Sequence, residues 1–431
     1  MPVERPQSGI AVWLIRTLEQ TPGRLVALVA VTQITLWALL PTLIFPTVPY
    51  DTAEGFLWGR SFELGYHKHP PLQAWILGVS ERLCPGAFWL SCVYAQVCVA
   101  ITFWAVWQLS RAIVGDRQGA LATIGLAGVH TYSLPTATFT PDLLLIATWA
   151  LLGLHYWRAV GEGRTLYWYA VALDVALICY SKYVGLLLLL VLIILTLATT
   201  EGRRALPSRH PWLATLVALG LTAPHLWWIA SSEGATLTYP LHRQAAQSIG
   251  ERGFFAANFV GAQALNHIGL GLMVWIVWGG RPELVVDRAP VSRFARSFVF
   301  AVSVVPIVIV LILNLASGVD FRHAWAMPMF CWSPLALVVL AGGHLNLRRL
   351  GAAVALFAAL VVLSPIVSVG FRVVRIAQGG AGQNFYPAAM FADMVTRRFQ
   401  ERTGKPLRIV VGQRYEAGQL AHYSAARPLM L

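Results

Sequence analysis

The densest group of ionisable side chains lies between Tyr50 and Trp75, in the segment YDTAEGFLWGRSFELGYHKHPPLQAW. Asp51 and Glu54 are three positions apart, so they share a face if this segment is helical. His67 and His69 flank a lysine just before two prolines. Imidazole and carboxylate are both ligands of Zn²⁺, so this HxH spacing with Glu54 could hold a metal. No cysteine pair or further histidine cluster accompanies these residues. A metal site is therefore kept as an alternative to a site that binds its ligand without a metal.

The local pattern predicts how these residues are presented. From Asp51 the helical pattern holds for about four turns. Its apolar positions are Phe56, Leu57, Phe62 and Leu64. Asp51 follows Pro49 at the predicted helix start, where a carboxylate could equally be a structural N-cap. Pro70 and Pro71 then end the pattern, and a second amphipathic piece at 72–83 is expected to lie along a membrane surface.

The composition places the rest of the chain in a membrane. Of its 431 residues 57% are hydrophobic and only 12% are charged, and the mean hydropathy is +0.63. A soluble protein has about a quarter of its residues charged. Lipid offers the backbone no hydrogen-bond partners, and the long apolar runs lack the alternation of a membrane barrel, so helical spans are expected. The five cysteines form no metal-type pair and are interpreted as packing residues.

We predict eleven spans. They lie near residues 25–48, 86–110, 119–134, 142–158, 166–180, 183–200, 211–230, 256–279, 297–316, 325–343 and 351–371. No cleavable leader pattern precedes the first, so it is expected to stay as an anchor. The expected organisation is a transmembrane domain at 1–371, whose first outer loop is 49–85, followed by a small domain at 372–431.

The net charge of +13 is explained by the arginines that orient the chain in the membrane, and it does not predict nucleic-acid binding. If the N-terminus is cytoplasmic, every inner loop is basic, as the positive-inside rule requires. These residues are Arg5, Arg16, Arg24, Arg111, Arg117, Arg158, Arg164, Arg203, Arg204, Arg209, Arg281, Arg288, Arg293, Arg296, Arg348 and Arg349.

The opposite connections carry isolated ionisable residues. They are Asp142, Lys182, Asp320, Arg322 and His323. Such groups near membrane depth tend to point into a shared cavity, although each alone could be an ordinary interface residue or helix cap. The tail at 372–431 reads as helix, short strand and helix, and it is expected to dock on the outer face of the bundle.

Five motifs in order carry a family resemblance. They are KHPPLQAW from Lys68, TPDLLLIATWALLGLHYW from Thr140, SKYVGLLLL from Ser181, DFRHAWAMPMF from Asp320 and GQRYEAGQLAHYS from Gly412. The chain resembles the membrane-embedded glycosyltransferases of the GT-C fold, in the branch of protein O-mannosyltransferases, lipid A aminoarabinose transferases and rhizobial lipopolysaccharide galacturonosyltransferases. The implied fold is an all-α polytopic bundle of about eleven helices. Amphipathic helices in the first periplasmic loop and a small C-terminal periplasmic α/β segment complete it.

The resemblance implies an inverting transfer of a sugar from a polyprenyl-phosphate donor to a lipid or glycan acceptor such as lipopolysaccharide. Asp51 is the expected base. Many relatives have an adjacent Glu, whereas here Thr52 follows Asp51 and the second carboxylate is Glu54, so the acid that assists Asp51 stays open between Glu54 and another group. The expected phosphate-binding residues are Lys68, His69, Lys182 and Arg322. The expected substrate-binding residues are Arg60, Tyr66, Asp142, Tyr183 and His323.

The resemblance also implies a monomer in the bacterial inner membrane, embedded in lipid and with its active site facing the periplasm. No cofactor beyond the donor substrate is required and no divalent metal is expected. A lipid or lipid-linked sugar flippase is the main alternative, although no half-to-half repeat of the transporter kind is visible. A scaffold that has lost activity is the second alternative, and the missing Glu after Asp51 is its best support.

Overall fold

The computed structural model describes residues 9–239, 248–278, 284–285, 290–341, 344–345, 349–379 and 386–430. The predicted inner-loop residues Arg5, Arg281, Arg288 and Arg348 lie outside the described residues. Within them the chain is almost entirely helical.

The α-helices, numbered α1 to α20 in chain order, are Gly9–Gln20, Pro22–Ile44, Tyr50–Trp58, Leu72–Leu83, Trp89–Val114, Asp116–Ile124, Pro141–Tyr156, Tyr167–Ser181, Leu186–Ala198, Thr200–Ala205, Arg209–Ser231, Ala235–Thr238, Ile249–Asn266, Ile268–Trp278, Arg293–Ser317, Ser333–Ala341, Leu350–Ala358, Ser364–Ala377, Ala388–Thr403 and Arg414–Tyr423. Shorter 3-10 or π-helical pieces are Gly125–Gly128, His130–Tyr132, Leu134–Ala137, Trp157–Gly161, Tyr183–Gly185, His323–Phe330 and Ala359–Leu363. The strands are β1 (Leu284–Val285) and β2 (His344–Leu345), which pair antiparallel, and β3 (Ile409–Val410) and β4 (Leu429–Met430), which pair parallel.

The helices are those of a multi-pass membrane protein. Among the described residues, six are long and apolar enough to cross a membrane, and two further pairs, bent by 50° and 51°, would raise this number to eight. The six are Pro22–Ile44, Trp89–Val114, Pro141–Gly161, Arg209–Ser231, Arg293–Ser317 and Gly351–Ala377. The predicted spans near 166–180 and 183–200 correspond to shorter apolar helices. The full count of eleven remains a prediction.

The predicted span at 119–134 is wrong as a continuous helix. Helix α6 ends at Ile124 and three short 3-10 turns follow. The backbone packs tightly here, because a Cβ on Gly128 would lie 2.7 Å from the backbone nitrogen of Leu270. Buried side-chain amides donate hydrogen bonds to the carbonyl groups that have no helical partner in this irregular segment. Gln33 donates to the carbonyl of Tyr132, and Gln96 donates to that of Thr136 at 2.7 Å.

The first outer loop contains two short helices, α3 and α4. The prediction of a four-turn helix from Asp51 is wrong, because α3 ends at Trp58. Gly59 and Gly78 form a backbone contact in which a Cβ on Gly59 would lie 2.3 Å from the carbonyl oxygen of Ala74. Phe62 then adopts a left-handed φ of 51°, which a continuing helix does not allow. This contact fixes α3 across α4.

The C-terminal segment confirms the predicted order of helix, strand and helix, with α19, β3 and α20 followed by β4. Its small core contains Leu407, Val410 and Leu420. Helix α20 packs on α3, where Tyr415 stacks on Tyr50 with ring centroids 6.1 Å apart. The segment is therefore attached to the first outer loop.

Candidate functional site

A cavity of about 180 Å³ brings together residues from six separate stretches of the chain. Its lining residues are Asp51, Lys68, His69, Pro70, Asp142, Lys182, Tyr183, Val184, Thr236, Tyr239, Arg322, Ala324 and Trp325. Seven of the eleven residues predicted to act in the site lie in this wall. The expectation of a shared cavity is therefore met for Asp142, Lys182 and Arg322, whereas Asp320 and His323 do not belong to its lining.

Lys68 joins the two carboxylates of α3. Its Nζ lies 3.1 Å from Oδ1 of Asp51 and 2.7 Å from Oε2 of Glu54. Burial lowers the pKa of Lys68, but the charges of the two carboxylates and their hydrogen bonds outweigh burial, so that the pKa is raised overall. The side chain of Asp51 is 45% exposed and faces the cavity, whereas that of Glu54 is 5% exposed. The carboxylate open to a ligand is therefore Asp51.

The alternative interpretation of Asp51 as a helix cap is wrong. The N-cap of α3 is Pro49, and Asp51 lies in the first turn without a capping hydrogen bond. Backbone and side-chain contacts hold this turn against the start of α7. Thr52 and Gln73 donate to the carbonyl oxygen of Phe139 at 3.1 and 2.8 Å. These bonds set the position of Asp51 relative to Asp142, three residues after Phe139.

A second ion pair lies on another part of the wall. Nζ of Lys182 lies 2.6 Å from Oδ1 of Asp142, across 40 residues of sequence. Asp142 is not a helix cap either, because Thr140 is the N-cap of α7 and the Asp142 carboxylate is engaged by the lysine. Lys182 has an extended backbone that separates α8 from the next helical turn. Its ammonium also lies 5.7 Å from the ring centre of Trp325.

Arg322 supplies the third cation of the cavity. It precedes the 3-10 helix at His323–Phe330 and is solvent-exposed. Within the described part of the chain, no carboxylate forms an ion pair with its guanidinium. Its fork of N–H donors is therefore open to an anionic ligand.

His69 lines the cavity as expected, and its role in binding the donor phosphate stays a prediction. Burial, together with the positive charges of Lys182 and Lys68, lowers the pKa of its imidazole well below the ordinary value. This direction of shift favours the neutral imidazole. It can still offer one hydrogen bond to a ligand.

Arg60, Tyr66 and His323 were expected to bind substrate, and the structure places all three outside the cavity lining. Arg60 donates to the carbonyl oxygens of Ala421 and Pro428 at 2.8 and 2.7 Å, so it fastens the C-terminal segment. The Tyr66 hydroxyl donates to the carbonyl of Trp58 at 2.6 Å. His323 is exposed. All three are close in sequence to residues that line the cavity, but their own contacts lie elsewhere.

The alternative metal site does not assemble from its three residues. The rings of His67 and His69 pack against Trp58 with centroids 5.6 and 6.2 Å apart, and Glu54 is engaged by Lys68. In the part of the chain that is described, no group of three metal-binding side chains is close enough to share an ion.

Four residues that line or support the cavity wall were not predicted from the sequence. Thr236 and Tyr239 come from the connection after α11, where no motif marked them. Trp325 is in the motif DFRHAW, so its aromatic character next to Arg322 was an available signal. His225 lies behind the wall and looked like an ordinary residue of a span.

Three comparisons with known proteins agree with this picture. A sequence model of the family described as dolichyl-phosphate-mannose-protein mannosyltransferase matches residues 68–228. The lipid A galacturonosyltransferase RgtD of Rhizobium johnstonii is 26% identical over 260 residues, which are 57% of this chain and 52% of that protein. The chain thus spans about half the length of this curated relative.

Solved structures show the fold. The crystal structure of ArnT from Cupriavidus metallidurans bound to undecaprenyl phosphate matches with a TM-score of 0.58 at 15% identity, over 93% of this chain and 76% of that chain. The apo structure of the same protein gives the same TM-score at 16% identity. The expectation of a GT-C fold is confirmed.

Proposed function

We propose that this protein is an inverting glycosyltransferase that moves a sugar from a polyprenyl-phosphate donor to a lipid or glycan acceptor. The observation that carries the proposal is the meeting of Asp51, Lys68, Lys182 and Arg322 at one cavity. One exposed carboxylate and three cations are the groups that a transfer from a phosphate donor needs. The GT-C fold and the likeness to a lipid A galacturonosyltransferase support the same reaction class.

In the proposed step, the acceptor hydroxyl attacks the anomeric carbon of the donor sugar. Asp51 takes the proton of that hydroxyl as the new carbon–oxygen bond forms. The bond between the anomeric carbon and the phosphate oxygen breaks, and its electron pair leaves with the polyprenyl phosphate. Because the leaving group is an anion, Lys68, Lys182 and Arg322 would stabilise it without a proton donor.

An apolar groove supports a lipid donor. It has a volume of about 480 Å³ and lies between α8, α9 and α11. Among its lining residues, Leu226 directly follows His225, whose imidazole lies 2.8 Å from the hydroxyl of Tyr183 in the cavity wall. The groove lining therefore includes the sequence neighbour of a residue that contacts the cavity wall. We propose that the prenyl chain occupies this groove while the phosphate lies among the cations.

The proposed setting is the inner membrane of a bacterium with the cavity facing the periplasm. The described basic residues assigned to inner loops, such as Arg158 and Arg204, belong to the connections opposite to those that line the cavity. We also propose that the protein acts as a monomer.

The flippase alternative is less favoured, because the charged residues of the cavity lie in connections on one side of the bundle. A path across the bilayer would need polar groups along its length. The proposed transferase needs them only where the acceptor and the donor phosphate meet.

The test is transfer of a radiolabelled sugar from polyprenyl phosphate to extracted acceptor lipid by the purified protein. Asp51→Asn should lower the rate by about 10² to 10⁴, the contribution typical of a positioned general base. Asp393→Asn, which changes an exposed carboxylate on α19, should behave as wild type. Full transfer by Asp51→Asn would remove Asp51 as the base. Lipid movement across vesicles without any transfer would favour the flippase.

A further inference from the structure

The buried imidazole of His225 connects two segments that contribute to the cavity wall. His225 of α11 is fully buried and does not line the cavity. Its Nδ1 lies 2.6 Å from the carbonyl oxygen of Leu64, and its Nε2 lies 2.8 Å from the hydroxyl of Tyr183. A carbonyl oxygen only accepts, so in the neutral imidazole Nδ1 donates to Leu64 and Nε2 accepts from Tyr183. Both nitrogens are used, and each engages a different segment.

Each of these segments leads to one lysine of the cavity. Leu64 is four residues before Lys68, in a loop closed by the hydrogen bond from the Tyr66 N–H to the His69 carbonyl at 3.1 Å. Tyr183 directly follows Lys182. One side chain of α11 thus connects the loop of the first cation to the turn of the second.

The surroundings of His225 leave it little freedom. The ring of Trp228 is nearly parallel to it, with centroids 6.1 Å apart, and the ring of Tyr180 lies at 5.4 Å. Gly65 in turn packs on Trp228 so closely that a Cβ would lie 2.3 Å from the indole. The Tyr183 hydroxyl is also 3.0 Å from Oγ1 of Thr236, a residue of the cavity wall.

We propose that His225 is a positioning residue that sets the separation of Lys68 and Lys182 for the donor phosphate. The inference rests on the proposed function, in which these two cations hold that phosphate. His225 itself does not touch the substrate. Its removal would let the two lysine segments shift independently, and misplacement of a reacting group by about 1 Å can lower a rate 10²-fold.

The main variant is His225→Phe, which keeps an aromatic ring beside Trp228 and removes both hydrogen bonds. His267→Phe is the matched control, because Nδ1 of His267 lies 2.9 Å from the Gln263 carbonyl and Nε2 lies 3.1 Å from Oγ of Ser333. It has the same bonding pattern away from the cavity. His225→Phe should raise KM for the donor and lower kcat/KM about tenfold or more, whereas His267→Phe should leave both near wild type.

The same substitution in a Lys182→Gln background separates positioning from general damage. If His225 acts through the lysine, His225→Phe should lower kcat/KM much less in this background than in wild type. An undiminished loss there would overturn the proposal, and so would wild-type kinetics of His225→Phe. If His225→Phe does not fold, His225→Asn, whose amide retains the reach to Leu64, gives the same comparison.

Binding of polyprenyl phosphate alone supplies a readout that does not depend on transfer. Wild type should bind it, and His225→Phe should bind it about tenfold more weakly, as measured by protection from thermal unfolding. If wild type binds polyprenyl phosphate but transfers no sugar, the proposed function is refuted. The comparison of binding between wild type and His225→Phe still tests the role of His225 in that case. No binding by wild type would refute both.

Discussion

The ammonium of Lys68 lies 2.7 Å from a buried carboxylate oxygen of Glu54. Glu54, the second acid of the first outer loop, is therefore buried behind Lys68 and holds its ammonium. Asp51, on the cavity side of the same lysine, remains the acid that can reach an acceptor.

Glu54→Gln should therefore lower transfer less than Asp51→Asn does. The amide removes one charge that holds Lys68 but leaves Asp51 as its partner, so we expect about a tenfold loss in kcat/KM, in line with one charged hydrogen bond of about 1.5 kcal/mol. The measurement is the steady-state rate at varied donor concentration. A loss as large as that of Asp51→Asn would instead place Glu54 in the proton transfer.

Removal of the Lys182 charge should have a larger effect than removal of its partner. Lys182→Gln should lower transfer by roughly 10² to 10³, as for other preorganised charge stabilisers. Asp142→Asn keeps the ammonium in the cavity and should lower transfer less. The two variants are compared at saturating donor, and the reverse order would argue that Asp142 is the more important member of the pair 2.6 Å apart.

Arg322 is exposed, so its substitution should change binding without affecting stability. Arg322→Gln should raise the donor KM about tenfold or more, and Arg322→Lys should restore only part of the loss because an ammonium lacks the bidentate fork. Arg398→Gln on α19 is the control for a lost surface arginine. Unchanged KM in Arg322→Gln would exclude this guanidinium from the phosphate site.

His422 of α20 makes stability sensitive to acid. Burial and the charges of Arg60 and Arg427 lower the pKa of His422 to about 4, and its Nδ1 lies 4.0 Å from Glu81. An unfolded histidine binds its proton near pH 6.5, so the unfolded state binds more protons between about pH 6.5 and 4. The contribution of His422 to the free energy of unfolding should fall by roughly 3 kcal/mol across this window and should not change further below it.

The measurement is the thermal unfolding midpoint in detergent at several pH values. His422→Phe keeps a ring against Phe56, whose centroid lies 4.6 Å away, and should flatten this part of the profile. His323→Phe, at an exposed site, should not. An acid profile that is identical in wild type and His422→Phe would contradict the assignment.

Gln419 offers a test of the C-terminal segment. Its amide nitrogen donates to the Val48 carbonyl at 2.7 Å, and its oxygen accepts from Thr47 at 2.8 Å. Gln419→Ala removes both contacts just before α3, so kcat should fall several-fold while the donor KM changes little. Gln400→Ala on the exposed face of α19 is the control. A rise in KM with unchanged kcat would show that the segment serves binding and not the position of Asp51.

The amount that the sequence could predict differs between parts of the site. Hydropathy and loop charge placed Asp142, Lys182 and Arg322 on one side, because bilayer physics acts on every residue in the same way. The contacts of Arg60 and Tyr66 could not be predicted, since they depend on where α3 ends. That end is determined by a backbone contact between Gly59 and Gly78, which no periodicity records.

His225 shows a second limit. A histidine in an apolar run carries no signal of its own, and its two partners are 161 and 42 residues away in sequence. The lowered pKa of His69 could not be predicted for a related reason. Burial and two neighbouring lysines decide it, and both are properties of the assembled cavity.

The attachment of α20 to α3 also has a consequence for biosynthesis. The segment before Asp51 emerges early from the ribosome, yet its partner Gln419 follows 371 residues after Val48. Contacts across such a separation form late, because the intervening chain must first be ordered. The turn before Asp51 would therefore acquire its contacts with Gln419 only after translation has passed α20.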